Sequence, residues 1–203
     1  MDYFYSLVLF AIASSATPGP NNILVLTSGL NFGVKRSLPL LSGICVGFAF
    51  MLMLVGVGFG YIFELFPSLH LVIKVVGTAY LLYLSWLIAT SSGGLKATEN
   101  AKPMSFVKGA LFQWVNAKAW VVATGAIAAF TTTGEAFATQ TATLVLTFLV
   151  LSVPSVGIWL MFGAWLKKFL QTERNLKLFN YSMALLLAAS VIPVVQEIAK
   201  AFA

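Results

Sequence analysis

The sequence predicts an all-α integral membrane protein. Three observations carry the prediction: long apolar runs free of charge, basic residues gathered on one side, and helix breakers inside two of the runs. Of the 203 residues, 60% are hydrophobic and 9% charged, where a soluble domain carries about 25% charged residues. A spanning helix needs about 20 apolar residues. Tyr3–Val34, Ser37–Phe63, Val75–Leu95, Ala136–Leu166 and Leu178–Gln196 offer runs of about that length without a charge, and Gly109–Gly134 is interrupted only by Lys118. Six helices in one membrane domain over residues 1–203 follow. Solid apolar runs exclude a barrel, which needs alternating segments of about ten residues.

The first run holds the strongest breaker, Thr17-Pro18-Gly19-Pro20-Asn21-Asn22. Inside a soluble helix each proline costs about 3 kcal/mol or more, because it lacks an N–H and its ring crowds the carbonyl four residues back. Those carbonyls belong to Ser14 and Ala16. The letters also read as a restart, with Thr17 as N-cap and Pro18 at the first helical position. A kink tolerated by neighbouring helices is the plainer reading, and the paired asparagines weigh against it. Small residues before Pro18 resemble a signal-peptide cleavage site, but Met1-Asp2 is not a positive n-region and apolar sequence continues beyond. Asn31-Phe32-Gly33 then reads as a C-cap.

Gly29/Gly33, Gly43/Gly47 and Gly56/Gly60 are spaced as GxxxG, which predicts close packing of the first two helices. Cys45, the single cysteine, excludes an intramolecular disulfide and reads as a small packing residue. The third helix, about Leu71 to Thr90, carries Tyr80, Tyr83 and an interfacial Trp86. Nine of the twelve basic residues follow the first, third and fifth helices: Lys35, Arg36, Lys96, Lys102, Lys108, Lys167, Lys168, Arg174 and Lys177. The positive-inside rule makes those loops cytoplasmic and puts both termini outside. The net charge of +6 thus reflects topology and implies no nucleic-acid partner.

The polar stretch from Ser91 to Pro103 divides the chain into half-repeats of about 1–92 and 105–203, each of three helices. Successive units with an odd number of crossings lie inverted to one another, as in many secondary transporters. The fourth helix, first of its half, is also disturbed at its centre: Gln113-Trp114-Val115-Asn116-Ala117-Lys118. Lys118 lies ten positions after Lys108, about 15 Å into the membrane at 1.5 Å per residue and so near mid-depth. An unpaired ammonium there costs at least about 2.5 kcal/mol, so it should face a polar cavity, the carbonyls freed at Ser14 and Ala16, or an anionic ligand. A purely structural tie to those carbonyls is the competing reading. With Asn116 as N-cap, the fourth helix restarts too, and two positive helix ends meet in mid-membrane. These ends and Lys118 suit a carboxylate, while the amides of Asn21, Asn22, Gln113 and Asn116 can hydrogen-bond a zwitterion. Ser152-Val153-Pro154-Ser155 adds a kink with hydroxyls in the fifth helix, grouped with Thr17, Pro18, Gly19 and Pro20 as gating positions. Pro193 marks a kink in the sixth.

The Thr17-to-Asn22 stretch, the Gly33 turn, Gly43, Tyr80-Leu81 with Trp86, and the Asn116-x-Lys118 pair resemble the LysE/RhtB family of amino-acid exporters along the whole chain. That family has Asn-Pro-Lys in the fourth helix, where this sequence has Ala117. This departure, with Ala101-Lys102-Pro103 and Phe112-Gln113-x-x-Asn116-x-Lys118, is most similar to the cysteine/O-acetylserine exporter branch. The resemblance implies a multi-pass protein of a bacterial inner membrane that exports small neutral amino acids or derivatives. A passive channel, or an exporter of another small zwitterion such as homoserine or threonine, is the alternative. A membrane enzyme lacks support, since the runs hold no buried carboxylate, His-Cys cluster or serine–histidine pairing. No cofactor or metal is expected. Lipid is the surrounding partner, the proton a candidate coupling ion carried by Lys118, and a homodimer a candidate assembly.

Overall fold

The computed structural model describes residues 3–59, 65, 67–90, 102–132, 134–170 and 172–201. Helices account for nearly all of them, and no strand occurs among the described residues. In chain order they are α1 (Tyr3–Ala16), α2 (Pro20–Phe32), α3 (Val34–Leu54, extended by a π-helical turn Val55–Phe59), α4 (Pro67–Thr90), α5 (Phe106–Val115), α6 (Ala117–Phe130), α7 (Phe137–Leu166), α8 (Glu173–Ala189) and α9 (Ile192–Ala201). Among the described residues, three stretches are long and apolar enough to cross a membrane: Val34–Gly58, Phe137–Leu166 and Glu173–Lys200. Shorter apolar helices are Tyr3–Ala16, Lys74–Thr90 and Ala117–Phe130. Helical content and apolar length together make this a membrane protein.

The first run is broken, and the break lies two residues later than expected. Gly19 is the N-cap and Pro20 occupies the first turn of α2, where a missing N–H costs nothing. Thr17 instead closes the preceding helix, its hydroxyl and N–H both donating to the Ala13 carbonyl. The fourth run breaks at Asn116, whose side chain accepts from the Lys118 N–H at 3.2 Å. Ala117 fills the first helical position without difficulty. Gly33, at φ 79, turns the chain from α2 into α3 in a conformation that glycine adopts freely. Pro154 leaves α7 continuous, whereas the sixth run splits between Ala189 and Ile192, just before Pro193.

The expectation that glycines join the first two helices is corrected. A Cβ on Gly29 would meet the Leu160 carbonyl at 2.3 Å, and one on Gly163 the Leu26 carbonyl at 2.0 Å, so these residues seat α2 against α7. On the other side, Gly43, Gly47 and Gly109 seat α3 against α5, with Phe106, Ala110 and Leu40 as the opposing residues. Backbones approach this closely only where a side chain is absent. Gly33 has nothing within 4 Å, Gly56 faces Thr141, and Gly60 lies outside the described residues, as does the loop over residues 91–101.

The core has two levels. Leu7, Phe48, Met51, Trp120 and Phe148 form one cluster, drawn from α1, α3, α6 and α7. At the other level, Ile23, Leu24, Leu81, Phe112 and Leu187 join α2, α4, α5 and α8, while Val25, Leu40, Ile44 and Leu160 join α2, α3 and α7. The breaks fall at the boundary between these levels, and there the polar residues collect.

Candidate functional site

Ending α1 at Ala16 leaves its last carbonyls without intrahelical donors, and the surrounding helices supply them. The amide Nδ2 of Asn22 donates to the Ser15 and Thr17 carbonyls, each at 2.9 Å. Trp159 of α7 donates its indole N–H to the Ala16 carbonyl at 3.1 Å. The Lys118 ammonium reaches the Thr17 carbonyl at 2.8 Å. Lys118 therefore does meet the broken end of the first helix, but at Thr17 rather than at the expected Ser14 and Ala16. The last turn of α5 is served in a related way, with the Trp120 indole on the Trp114 carbonyl at 2.9 Å.

The two breaks are also joined side chain to side chain. Asn21 and Gln113 exchange amide hydrogen bonds at 3.0 and 3.1 Å, and Asn116 donates to the Asn21 oxygen at 3.3 Å. Gln113 is fully buried and donates as well to the Gly109 carbonyl at 3.1 Å. It thus orders Asn21 from behind, outside the cavity lining.

A cavity of about 50 Å³ lies between the breaks, α3 and α7. Gly19, Asn21, Asn22, Asn116, Lys118 and Ser152 line it among the expected residues. Ser14, expected only for its carbonyl, and Cys45, expected as a packing residue, are also in the lining, and Ser15, Phe48 and Phe148 join it without having been foreseen. Pro18 and Pro20 border a different cavity. Pro154 sits on the exposed face of α7, and Ser155 is buried away from both cavities.

Two features give this cavity a polarity. The Oδ1 of Asn22 is buried without a partner, and Asn22 as a whole is only 2% exposed. An acceptor in that position favours a donor such as an ammonium. Opposite in character are the Lys118 ammonium and the start of α2, whose N-cap Gly19 provides no side-chain bond. The first N–H groups of that helix lack intrahelical partners and attract negative charge. The Lys118 stem lies across Gly19, so close that a Cβ there would meet its Cδ at 3.0 Å and its Nζ at 3.2 Å.

Residues 12–195 match the family of LysE type translocators. The chain belongs to this family. Among relatives of this LysE chain are proteins named cysteine/O-acetylserine efflux protein from Klebsiella pneumoniae, Salmonella typhimurium and Escherichia coli. They are 34%, 38% and 35% identical to it over 113, 112 and 125 residues. The matched stretches cover 56%, 54% and 60% of this chain and 57%, 55% and 62% of the relatives. The chain thus spans little more than half the length of each curated relative it matches. No solved structure gives a significant match.

Proposed function

We propose that this LysE-family protein is a secondary exporter of small zwitterionic amino acids, with cysteine and O-acetylserine the substrates its relatives' names suggest. One observation carries the reading: where the two helix breaks meet, Lys118, Gly19 and Asn22 line one cavity, and they bring to it an ammonium, an uncapped helix start and an amide whose oxygen is buried without a partner. In this reading the substrate carboxylate binds Lys118 and the first N–H groups of α2, replacing the Thr17 carbonyl as the ammonium's partner. The substrate ammonium binds Asn22 Oδ1. Asn21, Gln113 and Asn116 hold the two breaks in register, and Ser152 offers a hydroxyl to the substrate's polar side chain. Discrimination then comes from charges at both ends of the ligand, because a buried polar group left unpaired costs about 1–3 kcal/mol.

The proposed topology has six spans in two inverted halves, with α1–α2 and α5–α6 each a span broken near mid-depth. Both termini lie outside a bacterial inner membrane, as the lysine distribution favours. A proton moving with substrate would use Lys118, the ionisable side chain at the centre.

Counterflow with purified protein in liposomes tests the function. Preloading with unlabelled O-acetylserine should drive transient accumulation of radiolabelled O-acetylserine or cysteine above equilibrium. Uptake that only equilibrates, whatever the preload, would mark a passive channel.

A further inference from the structure

A second and much larger cavity, of about 570 Å³, lies beside the first break among α4, α6 and the α8–α9 junction. It falls within the range of about 300–1,000 Å³ typical of small-molecule sites, and the central cavity does not. Resting on the exporter reading above, we propose that this cavity is a second holding site for the same zwitterion, occupied on its way out.

Connection is the first argument. Gly19, Asn116 and Lys118 line both cavities, so the partition between them consists largely of one unbranched side chain lying over a glycine. A rotation of Lys118 away from the Thr17 carbonyl carries a bound carboxylate from one chamber towards the other without breaking the charge contact.

Chemistry is the second. Lys118 stands at one end and Lys74 lines the wall on α4, with Thr78 between Lys74 and Leu81 on the same helix. Thr78 lines the wall with its Oγ1 buried and lacking a hydrogen-bond partner, so a turn of the side chain into the chamber would give both the hydroxyl and a polar ligand a partner. From Lys74 to Leu81 the lining follows α4 for about 10 Å at 1.5 Å per residue, enough for a small amino acid to leave the central site completely.

Position is the third. Of the lining, Lys74, Thr78, Ala117–Thr124 and Pro193–Val194 lie on the half that the basic residues assign to the outside, with Leu81 at the inner limit. The opposite half is closed by the glycine contacts of α2 with α7 and of α3 with α5. Chamber and seal therefore sit on opposite sides of Lys118, as a site of release requires.

The test is thiol labelling of a Thr78→Cys variant in intact cells, with mass spectrometry assigning the label so that native Cys45 stays in place. A membrane-impermeant methanethiosulfonate added outside should modify position 78. O-acetylserine, at roughly ten times its dissociation constant, should slow that reaction about tenfold by simple occupancy. Labelling that ignores O-acetylserine, in protein that still shows O-acetylserine counterflow, would overturn the second site and leave the exporter reading standing. Modification only by a bilayer-soluble maleimide would also overturn it, because the chamber would then hold lipid. Should Thr78→Cys fail to reach the membrane, Thr124→Cys on the facing wall carries the same test with the same outcomes.

Discussion

The two helix breaks reach the same result by different means. The first spends residues 17–19 and two prolines, and leaves the start of α2 without a side-chain cap. The second needs one residue, Asn116, whose side chain caps α6 itself. Proline breaks a helix by what it removes, and the open carbonyls and N–H groups must then be served from elsewhere. An N-cap breaks a helix by offering the next one a better start, and leaves little unsatisfied. In the proposed reading the first break is therefore the one that takes the ligand. The second positions its own Lys118 over the first, with Asn116 and Gln113 fixing the register through Asn21.

The largest effect expected from disturbing this contrast is at Asn22. Asn22→Leu keeps the branched shape but removes the donor to the Ser15 carbonyl, while the Thr17 carbonyl retains Lys118. A buried carbonyl left open costs about 1–3 kcal/mol, to be read from unfolding in mixed detergent micelles, and export should be lost with Asn22 Oδ1. An unchanged stability would mean that the first break tolerates open carbonyls and needs no service.

A smaller loss is expected at the self-sufficient break. Asn116→Ala removes the cap of α6 and should cost about 0.5–2 kcal/mol, most of which Asn116→Ser restores. The same unfolding series measures both variants. Equal losses for alanine and serine would assign the effect to the amide contact with Asn21 instead of to the cap.

The smallest effect makes the second break resemble the first. Ala117 is the first residue of α6, its N–H has no intrahelical role, and Asn116 before it is extended at φ −90 and ψ 101, as a residue preceding proline prefers. Ala117→Pro should be neutral or stabilising by about 0.4–1 kcal/mol and should leave export intact. A marked loss would show that the second break depends on freedom at that position.

Much of this was legible in the sequence, and the remainder was not for definite reasons. The apolar runs gave α7 to within a residue, because a charge-free stretch bounded by Glu135 and Lys167 admits few other readings. The paired breaks, Asn116 as a cap and the meeting of Asn21 with Asn116 were also readable, since a cap and a proline act locally. Thr17-Pro18 and Gly19-Pro20 both spell a cap followed by proline, so the choice between them rested on where Thr17 finds a partner, which is a tertiary fact. Trp159 was missed because its bond to Ala16 joins residues far apart in the chain and leaves no local signal. The glycine spacings told that backbones approach closely, but not which ones; the partners lie in the opposite half.

Lys118 decides the central claim most directly. In Lys118→Met the Thr17 carbonyl still receives the Asn22 amide, so the fold should survive the loss of the ammonium. The measurement is export of O-acetylserine from cells carrying the variant and the parent protein at matched membrane levels. Export by Lys118→Met should fall to the background of cells without the protein, while its unfolding midpoint stays close to the parent's. Export near the parent's rate would contradict the account, leaving Lys118 a structural tie between two broken helices.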